Sequence, residues 1–150
     1  MEPAISGADL IILTIPVDAM RSVLPQVLDL MRPDQVVMDA GSTKEVLIDA
    51  VKEHPLRRRY VASHPMAGRE NSGPAAAISG LFAGKCSVIC NRPSSDADAV
   101  DMVIALYEAL GDADGGVGGS WHDLHAAYVS TPFPHLIVCP GSNGTGKRKG

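Results

Sequence analysis

The chain has 150 residues, of which 45% are hydrophobic and 20% are charged, and its formal net charge at pH 7 is −4. These proportions are typical of one globular domain with a buried core and are not those of a chain that is disordered as a whole. A net negative charge gives no overall attraction to nucleic acid or to an anionic membrane surface, so we expect neither as a partner.

The cysteine pattern favours a reducing, cytoplasmic setting. The chain has three cysteines, which do not make a disulfide framework. Cys86 and Cys90 stand four positions apart on one predicted strand. At ~3.3 Å per residue their separation is too large for a disulfide bond.

The first predicted element is a strand in the apolar run ADLIILTIP, residues 8–16, which is bounded by Gly7 and Pro16. A near-continuous apolar run of this length is typical of a strand buried on both faces in a parallel sheet. It is too short for a transmembrane helix and does not resemble a signal peptide. Apolar residues then recur at helical spacing over residues 17–31, in a helix that Pro25 should kink or split.

A second strand and a second helix follow. The segment QVVMDA, residues 35–40, is a short apolar strand closed by Gly41. Ser42 and Glu45 have the spacing of a capping box, which predicts a helix over about residues 43–54.

The pattern of strand and helix repeats once more. We predict a third strand at residues 60–63 and a fourth at residues 86–90. Ser94 or Ser95 then caps a helix that Gly111 ends.

Alternating strands and helices of these lengths predict a doubly wound α/β sheet. In such sheets ligands bind beyond the carboxyl ends of the strands. Three segments fall at that edge, residues 15–19 (IPVDA), 39–44 (DAGSTK) and 63–73 (SHPMAGRENSG). We therefore expect any chemistry of the chain in these three places.

Each candidate group at these strand ends has a functional and a structural interpretation. The segment GSTK, residues 41–44, could present free amides to a phosphate or carboxylate, although its spacing favours a simple capped helix. His64 is placed like a general base, and a lone histidine of this kind is more often structural. Glu70 could orient His64 or close over a substrate, or it could be a solvated carboxylate paired with Arg69.

Other polar motifs carry less information. The two histidines of HDLH, residues 122–125, would share one helical face, but nothing near them supplies the further ligands that a metal requires, so we predict no metal site. The arginines of LRRRY, residues 56–60, indicate a solvated edge. The chain contains no G-x-G-x-x-G motif.

Five segments, in this order along the chain, resemble the prephenate dehydrogenase family, which includes arogenate dehydrogenases: ADLIILTIPV, DAGSTKE, HPMAGRENSG, LFAGK and HDLHAAYVS. The resemblance covers residues 8–130. It implies a Rossmann-like doubly wound, mainly parallel sheet, incomplete at its N-terminal side. It also implies a cytoplasmic enzyme of tyrosine biosynthesis that uses NAD or NADP to convert prephenate to 4-hydroxyphenylpyruvate by oxidative decarboxylation. The substrate would be prephenate or arogenate, and full-length relatives would be homodimers.

The resemblance implies roles for three residues at the substrate. His64 would accept a hydrogen bond or a proton from the substrate hydroxyl. Ser42 would lie between the nicotinamide and the substrate and orient that hydroxyl. Glu70 would bind substrate by helping to close the pocket.

The resemblance also implies which residues line the cofactor, NAD or NADP. They follow the first two predicted strands and are Pro16, Val17, Gly41, Ser42 and Thr43. The glycine fingerprint that the family places before the first apolar strand is missing here.

The resemblance divides the chain into two parts. Residues 1–130 would be the C-terminal part of a dinucleotide-binding domain. Residues 131–150 would be an aberrant or disordered tail that replaces the start of a helical dimerisation domain, which a frameshift near residues 130–131 would explain. The alternative function is therefore a truncated, catalytically inactive fragment, and we expect the isolated chain to be inactive or nearly so. Another Rossmann-type hydroxy-acid dehydrogenase is disfavoured by the HPMAG loop.

Overall fold

The computed structural model describes residues 2–67 and 77–111 together with the backbone of residues 135–138. The described elements, in chain order, are α1 (Glu2–Ser6), β1 (Leu10–Leu13), α2 (Val17–Leu30), β2 (Val36–Asp39), α3 (Glu45–Val51), β3 (Tyr60–Pro65), β4 (Ser87–Cys90), α4 (Ala97–Gly111) and β5 (His135–Val138). Within these ranges, no helix is long and apolar enough to cross a membrane. The tail predicted at residues 131–150 lies outside the described residues except for β5.

The strands form one sheet in the order β1-β2-β3-β4-β5. The pairings β1–β2 and β2–β3 are parallel, whereas β3–β4 and β4–β5 are antiparallel. The expected α/β, Rossmann-like class is confirmed, and its parallel part is formed by β1, β2 and β3. Because these three strands run the same way, their carboxyl ends meet at one edge of the sheet.

Helices cover both faces of the central strands, and all four residues of β2 are buried. The prediction that the first strand is buried on both faces is wrong, because β1 lies at the edge of the sheet and its Ile12 is 45% exposed. Alternate residues of β2 point to opposite faces, with Val37 on one side and Val36 and Met38 on the other. The first face packs against buried residues of α2 and α3, namely Met20, Leu24, Val27, Leu28, Leu47, Ile48 and Val51. The second face packs against buried residues of α4, namely Ala99, Val100, Val103 and Tyr107.

Two expectations about the first two predicted helices, a split at Pro25 and a capping box at Ser42, are corrected by the structure. Helix α2 is not split at Pro25, because Leu24 and Val27 on either side are buried and hold the helix against the core. The capping-box prediction is wrong: α3 begins at Glu45 after Lys44 and ends at Val51. In this described part of the chain, no side chain caps the first turn of α3 by a hydrogen bond to its backbone N–H groups.

The predicted serine cap of α4 is also wrong. Ser94 lies in a short 3-10 turn, Arg92–Ser94, and the hydroxyl of Ser95 donates to the carbonyl oxygen of Tyr60 at 2.7 Å. Because Ser95 is used to tie the turn to β3, α4 begins later, at Ala97. Its last residue is Gly111, which the sequence predicted to end the helix.

One expectation about the cysteines is wrong as well. Cys86, immediately before β4, is disulfide-bonded. The spacing argument excluded only a bond between Cys86 and Cys90, which lie immediately before β4 and at its end.

Candidate functional site

The sequence-predicted site residues that the structure describes come from the carboxyl ends of β1, β2 and β3. They are Pro16, Val17, Gly41, Ser42, Thr43 and His64. Ser42 and Thr43 are exposed in the turn between β2 and α3, and His64 is half-buried near the end of β3. Glu70 and its neighbour Arg69 lie outside the described residues, so the prediction for Glu70 stays a prediction.

Two of the predicted cofactor residues pack against each other. A methyl group added at Gly41 would lie 3.0 Å from Cγ2 of Val17 and 3.1 Å from Oδ2 of Asp39. Contacts this short leave no room for a side chain unless its neighbours move. The turn after β2 is therefore packed closely against the start of α2, which brings the first two strand ends together.

A buried carboxylate, Asp39, organises this edge of the sheet. Its Oδ1 accepts hydrogen bonds from the hydroxyl of Tyr60 at 2.8 Å and from the backbone N–H of Ser63 at 3.3 Å. Its Oδ2 accepts the backbone N–H of Gly41 at 3.0 Å and an ion-paired hydrogen bond from Nζ of Lys44. Four donors to one buried anion form a charge-assisted network that fixes the positions of all four groups.

Lys44 is enclosed in the protein. Its side chain is 1% exposed and that of its partner Asp39 is 0% exposed. Burial lowers the pKa of Lys44, while the charge of Asp39 and its hydrogen bond act in the opposite direction. The lysine of the GSTK segment is thus turned inward and is not available to meet a ligand directly, whereas Ser42 and Thr43 remain exposed.

The network continues through the sheet to α4. The hydroxyl of Ser63 donates to the carbonyl oxygen of Asp39 at 2.5 Å and lies 2.8 Å from the hydroxyl of Tyr107. Burial is the main cause that raises the pKa of Tyr107 to about 12 and that of Tyr60 well above its usual value. Both phenols are therefore neutral at physiological pH and serve as hydrogen-bond donors.

His64 stands beside this network with a perturbed titration. Partial burial lowers the pKa of His64, the positive charge of Lys44 lowers it further, and the charge of Asp39 opposes both effects. A histidine with a pKa below its ordinary value is neutral at pH 7 and can accept a proton. This places a neutral base at the same edge as the exposed hydroxyls of Ser42 and Thr43.

Sequence reasoning missed the members of the buried network: Asp39, Lys44, Tyr60, Ser63 and Tyr107. A signal existed for two of them, because Asp39 and Lys44 flank the tight turn at Gly41 and carry opposite charges. The others gave none, because each occupies an ordinary strand or helix position.

The described residues show no grouping of three or more His, Cys, Asp or Glu side chains that could hold a metal ion. Residues 122–125, the HDLH segment, lie outside them. Among the described residues at these strand ends, Ser42, Thr43 and Pro16 are exposed and Val17 is partly buried, so a dinucleotide could contact them.

Known proteins with similar sequences and structures are dehydrogenases. The chain is 28% identical over 138 residues to a cyclohexadienyl dehydrogenase of Zymomonas mobilis, a match that covers 92% of this chain and 47% of the relative. It is 31% identical over 104 residues to a prephenate dehydrogenase of Bacillus subtilis, covering 69% of this chain and 28% of that protein.

A solved structure shares the fold. The prephenate dehydrogenase of Aquifex aeolicus, in complex with hydroxyphenyl propionate and NAD+, superposes with a TM-score of 0.64 at 27% identity. The match covers 81% of this chain and 41% of that one. The chain therefore spans less than half the length of each of these three relatives.

The family described as prephenate dehydrogenase, nucleotide-binding domain, matches residues 2–113, which is most of the chain. These residues include β1 to β4, the buried network and His64. The chain belongs to the prephenate dehydrogenase nucleotide-binding domain family.

Proposed function

We propose that this chain provides the part of an NAD- or NADP-dependent dehydrogenase that carries the catalytic base, in an enzyme that converts prephenate to 4-hydroxyphenylpyruvate for tyrosine biosynthesis. The observation that carries the proposal is His64, a half-buried base with a lowered pKa at the strand ends where ligands bind in such sheets. The ligands of the Aquifex aeolicus relative, hydroxyphenyl propionate and NAD+, support it.

Formation of the aromatic ring drives the proposed reaction, so the main task of the protein is to position the substrate hydroxyl. A nicotinamide cofactor, held by the residues at the ends of β1 and β2, would supply the hydride acceptor for the substrate carbon that bears the hydroxyl, and carbon dioxide would leave as the substrate ring becomes aromatic. The neutral imidazole of His64 would accept the proton of that hydroxyl as the hydride leaves, and would return it to the same oxygen, which becomes the phenol hydroxyl of the product. The hydroxyl of Ser42, exposed at the end of β2, orients the same group.

The cofactor is proposed to lie along the ends of β1 and β2. Pro16 and Val17 line it from the first strand end, and Gly41, Ser42 and Thr43 line it from the second. The packing of Gly41 on Val17 supports this assignment, because it makes the two strand ends one continuous surface. Glu70 is proposed to close the substrate pocket, and the substrate is prephenate or arogenate.

An alternative is a fragment with no catalysis of its own. It is favoured by one feature of the sequence: these 150 residues contain no G-x-G-x-x-G motif. Backbone amides of such a loop, at a helix N-terminus, bind the pyrophosphate of a dinucleotide. Without them the affinity for NAD would fall even if the strand ends around His64 are intact.

Two measurements on the 150-residue chain separate the proposals. NAD is titrated by calorimetry, and prephenate-dependent formation of NADH is followed by absorbance for the wild type, His64→Asn and the control His54→Asn. His54 is a suitable control because it follows α3 and does not lie at the carboxyl end of a strand. Its Nε2 lies 3.1 Å from Oδ1 of Asp29 in α2. Turnover that His64→Asn abolishes and His54→Asn leaves intact supports the dehydrogenase. A folded chain with neither binding nor turnover supports the inactive fragment.

A further inference from the structure

The buried pair of Lys44 and Asp39 lies directly beside the proposed base. In the parallel register of β2 and β3, Asp39 is level with Ala62, two residues before His64. The backbone N–H of Ser63, the residue immediately before His64, donates to the Asp39 carboxylate. The turn after β2 then returns the chain so that Lys44 reaches the other carboxylate oxygen.

The ammonium group of Lys44 cannot act as a ligand for substrate or cofactor. Its side chain is 1% exposed, and its hydrogen bond is made to a carboxylate that is itself 0% exposed. An ion pair this deeply buried is a weak source of net stability, because removing two charges from water costs about as much as their attraction returns. Its charges nevertheless act on a neighbouring titratable group, because buried charges are poorly screened by solvent and salt.

We propose that Lys44 is a positioning residue for His64: its fixed positive charge, held in place by Asp39, adds to the effect of burial and favours the neutral imidazole, which can accept a proton. This inference rests on the proposed function only in one respect, namely that the neutral imidazole acts as a base in catalysis. The charge effect itself is a property of the fold and can be measured without substrate or cofactor.

The electrostatic balance at His64 supports this role. Of the two charges that act on His64 in the described part of the chain, that of Lys44 has the larger influence and that of Asp39 opposes it. On the other side, β4 has no acidic or basic residue: Val88 pairs with His64, and the titratable thiol of the strand, that of Cys90, is level with Ala62. The net effect of the pair is therefore that of a cation, although the pair as a whole is neutral.

The test is an NMR titration of the histidine ring protons in the 150-residue chain, with the His64 signal assigned from His64→Asn. Lys44→Met removes the cation. The double variant Asp39→Asn/Lys44→Met removes both charges and leaves no buried ion unpaired, so it decides the question if the single variant does not fold. Lys52→Met is the matched control, because Lys52 is an exposed lysine that follows the same helix.

We expect the pKa of His64 to rise in Lys44→Met and in the double variant, and to stay at the wild-type value in Lys52→Met. An unchanged pKa of His64 in the folded double variant would overturn the inference, and so would an equal rise in Lys52→Met. A rise without any dehydrogenase activity would contradict the proposed function and leave this inference standing. Dehydrogenase activity together with an unchanged pKa of His64 in the variants would contradict this inference and leave the proposed function standing.

Discussion

Replacement of Lys44 by methionine should destabilise the fold through the carboxylate that it leaves behind. Asp39 is 0% exposed and would keep three of its donors: the hydroxyl of Tyr60 and the backbone amides of Gly41 and Ser63. Breaking one side of a buried ion pair costs about 3–5 kcal/mol. The three remaining donors place this case near the lower end, so we expect a loss of about 3 kcal/mol in the free energy of unfolding.

The double variant Asp39→Asn/Lys44→Met tests the origin of that loss. It removes the uncompensated charge, so it should be less destabilised than Lys44→Met alone, and the two substitutions should be strongly non-additive. The assay is urea unfolding followed by circular dichroism at pH 7. With a urea dependence of about 1–3 kcal/mol per molar, a 3 kcal/mol loss moves the midpoint by about 1–3 M.

Lys52→Met is again the control, and a change at this exposed site should stay within about 0.5 kcal/mol. Two results would show that the loss does not come from an unpaired Asp39. One is a Lys44→Met variant whose stability is indistinguishable from that of the control. The other is a double variant whose loss equals the sum of the two single losses.

Three further predictions follow from the same contacts. Tyr60→Phe removes a hydrogen bond to a buried anion and should lower the free energy of unfolding by about 1.5–3 kcal/mol. Tyr107→Phe removes a hydrogen bond to a neutral hydroxyl and should lower it by about 1 kcal/mol. Urea unfolding measures both losses. Gly41→Ala places a methyl group 3.0 Å from Val17 and should cost about 1–3 kcal/mol, and Val17→Ala in the same chain should recover part of that loss. Because the pKa of His64 is lowered in the folded chain, the unfolded chain binds more protons near this pKa. The free energy of unfolding should therefore fall as the pH is lowered through about 6.5. His64→Asn should reduce that pH dependence.

Each of these predictions has a result that contradicts it. Equal losses in the two tyrosine variants would mean that the Tyr60 bond does not end on a charged group. Strictly additive losses for Gly41 and Val17 would mean that they are not in contact. An identical pH dependence of stability with and without His64 would place its pKa at the ordinary value.

The fold was predictable where local patterns are strong. Apolar runs marked β1 to β4, and the helical spacing of buried residues marked α2 and α4. Strand ends were less accurate: β3 was predicted to end at Ser63 but continues to Pro65. The additional residues, His64 and Pro65, pair with Val88 and Ser87 of β4. Such a pairing between distant segments leaves no local signal.

The site was predictable from motifs but not in its electrostatics. The GSTK segment predicted a helix capped by Ser42, whereas the structure starts α3 at Glu45 and turns Lys44 inward to Asp39. The preference of a buried carboxylate for a cation outweighed the local capping pattern. That choice depends on the burial of Asp39 between two layers of helices, which becomes visible only in three dimensions.

The most direct experiment asks whether His64 serves as the base in a working enzyme. Residues 2–113 of this chain would replace the corresponding residues of the Bacillus subtilis prephenate dehydrogenase. Reduction of NAD or NADP by prephenate would then be compared between the parent chimera, its His64→Asn variant and its His54→Asn variant. We expect His64→Asn to lower the rate by about 10²–10⁴-fold and His54→Asn to leave it unchanged. A His64→Asn chimera as fast as its parent would contradict this expectation.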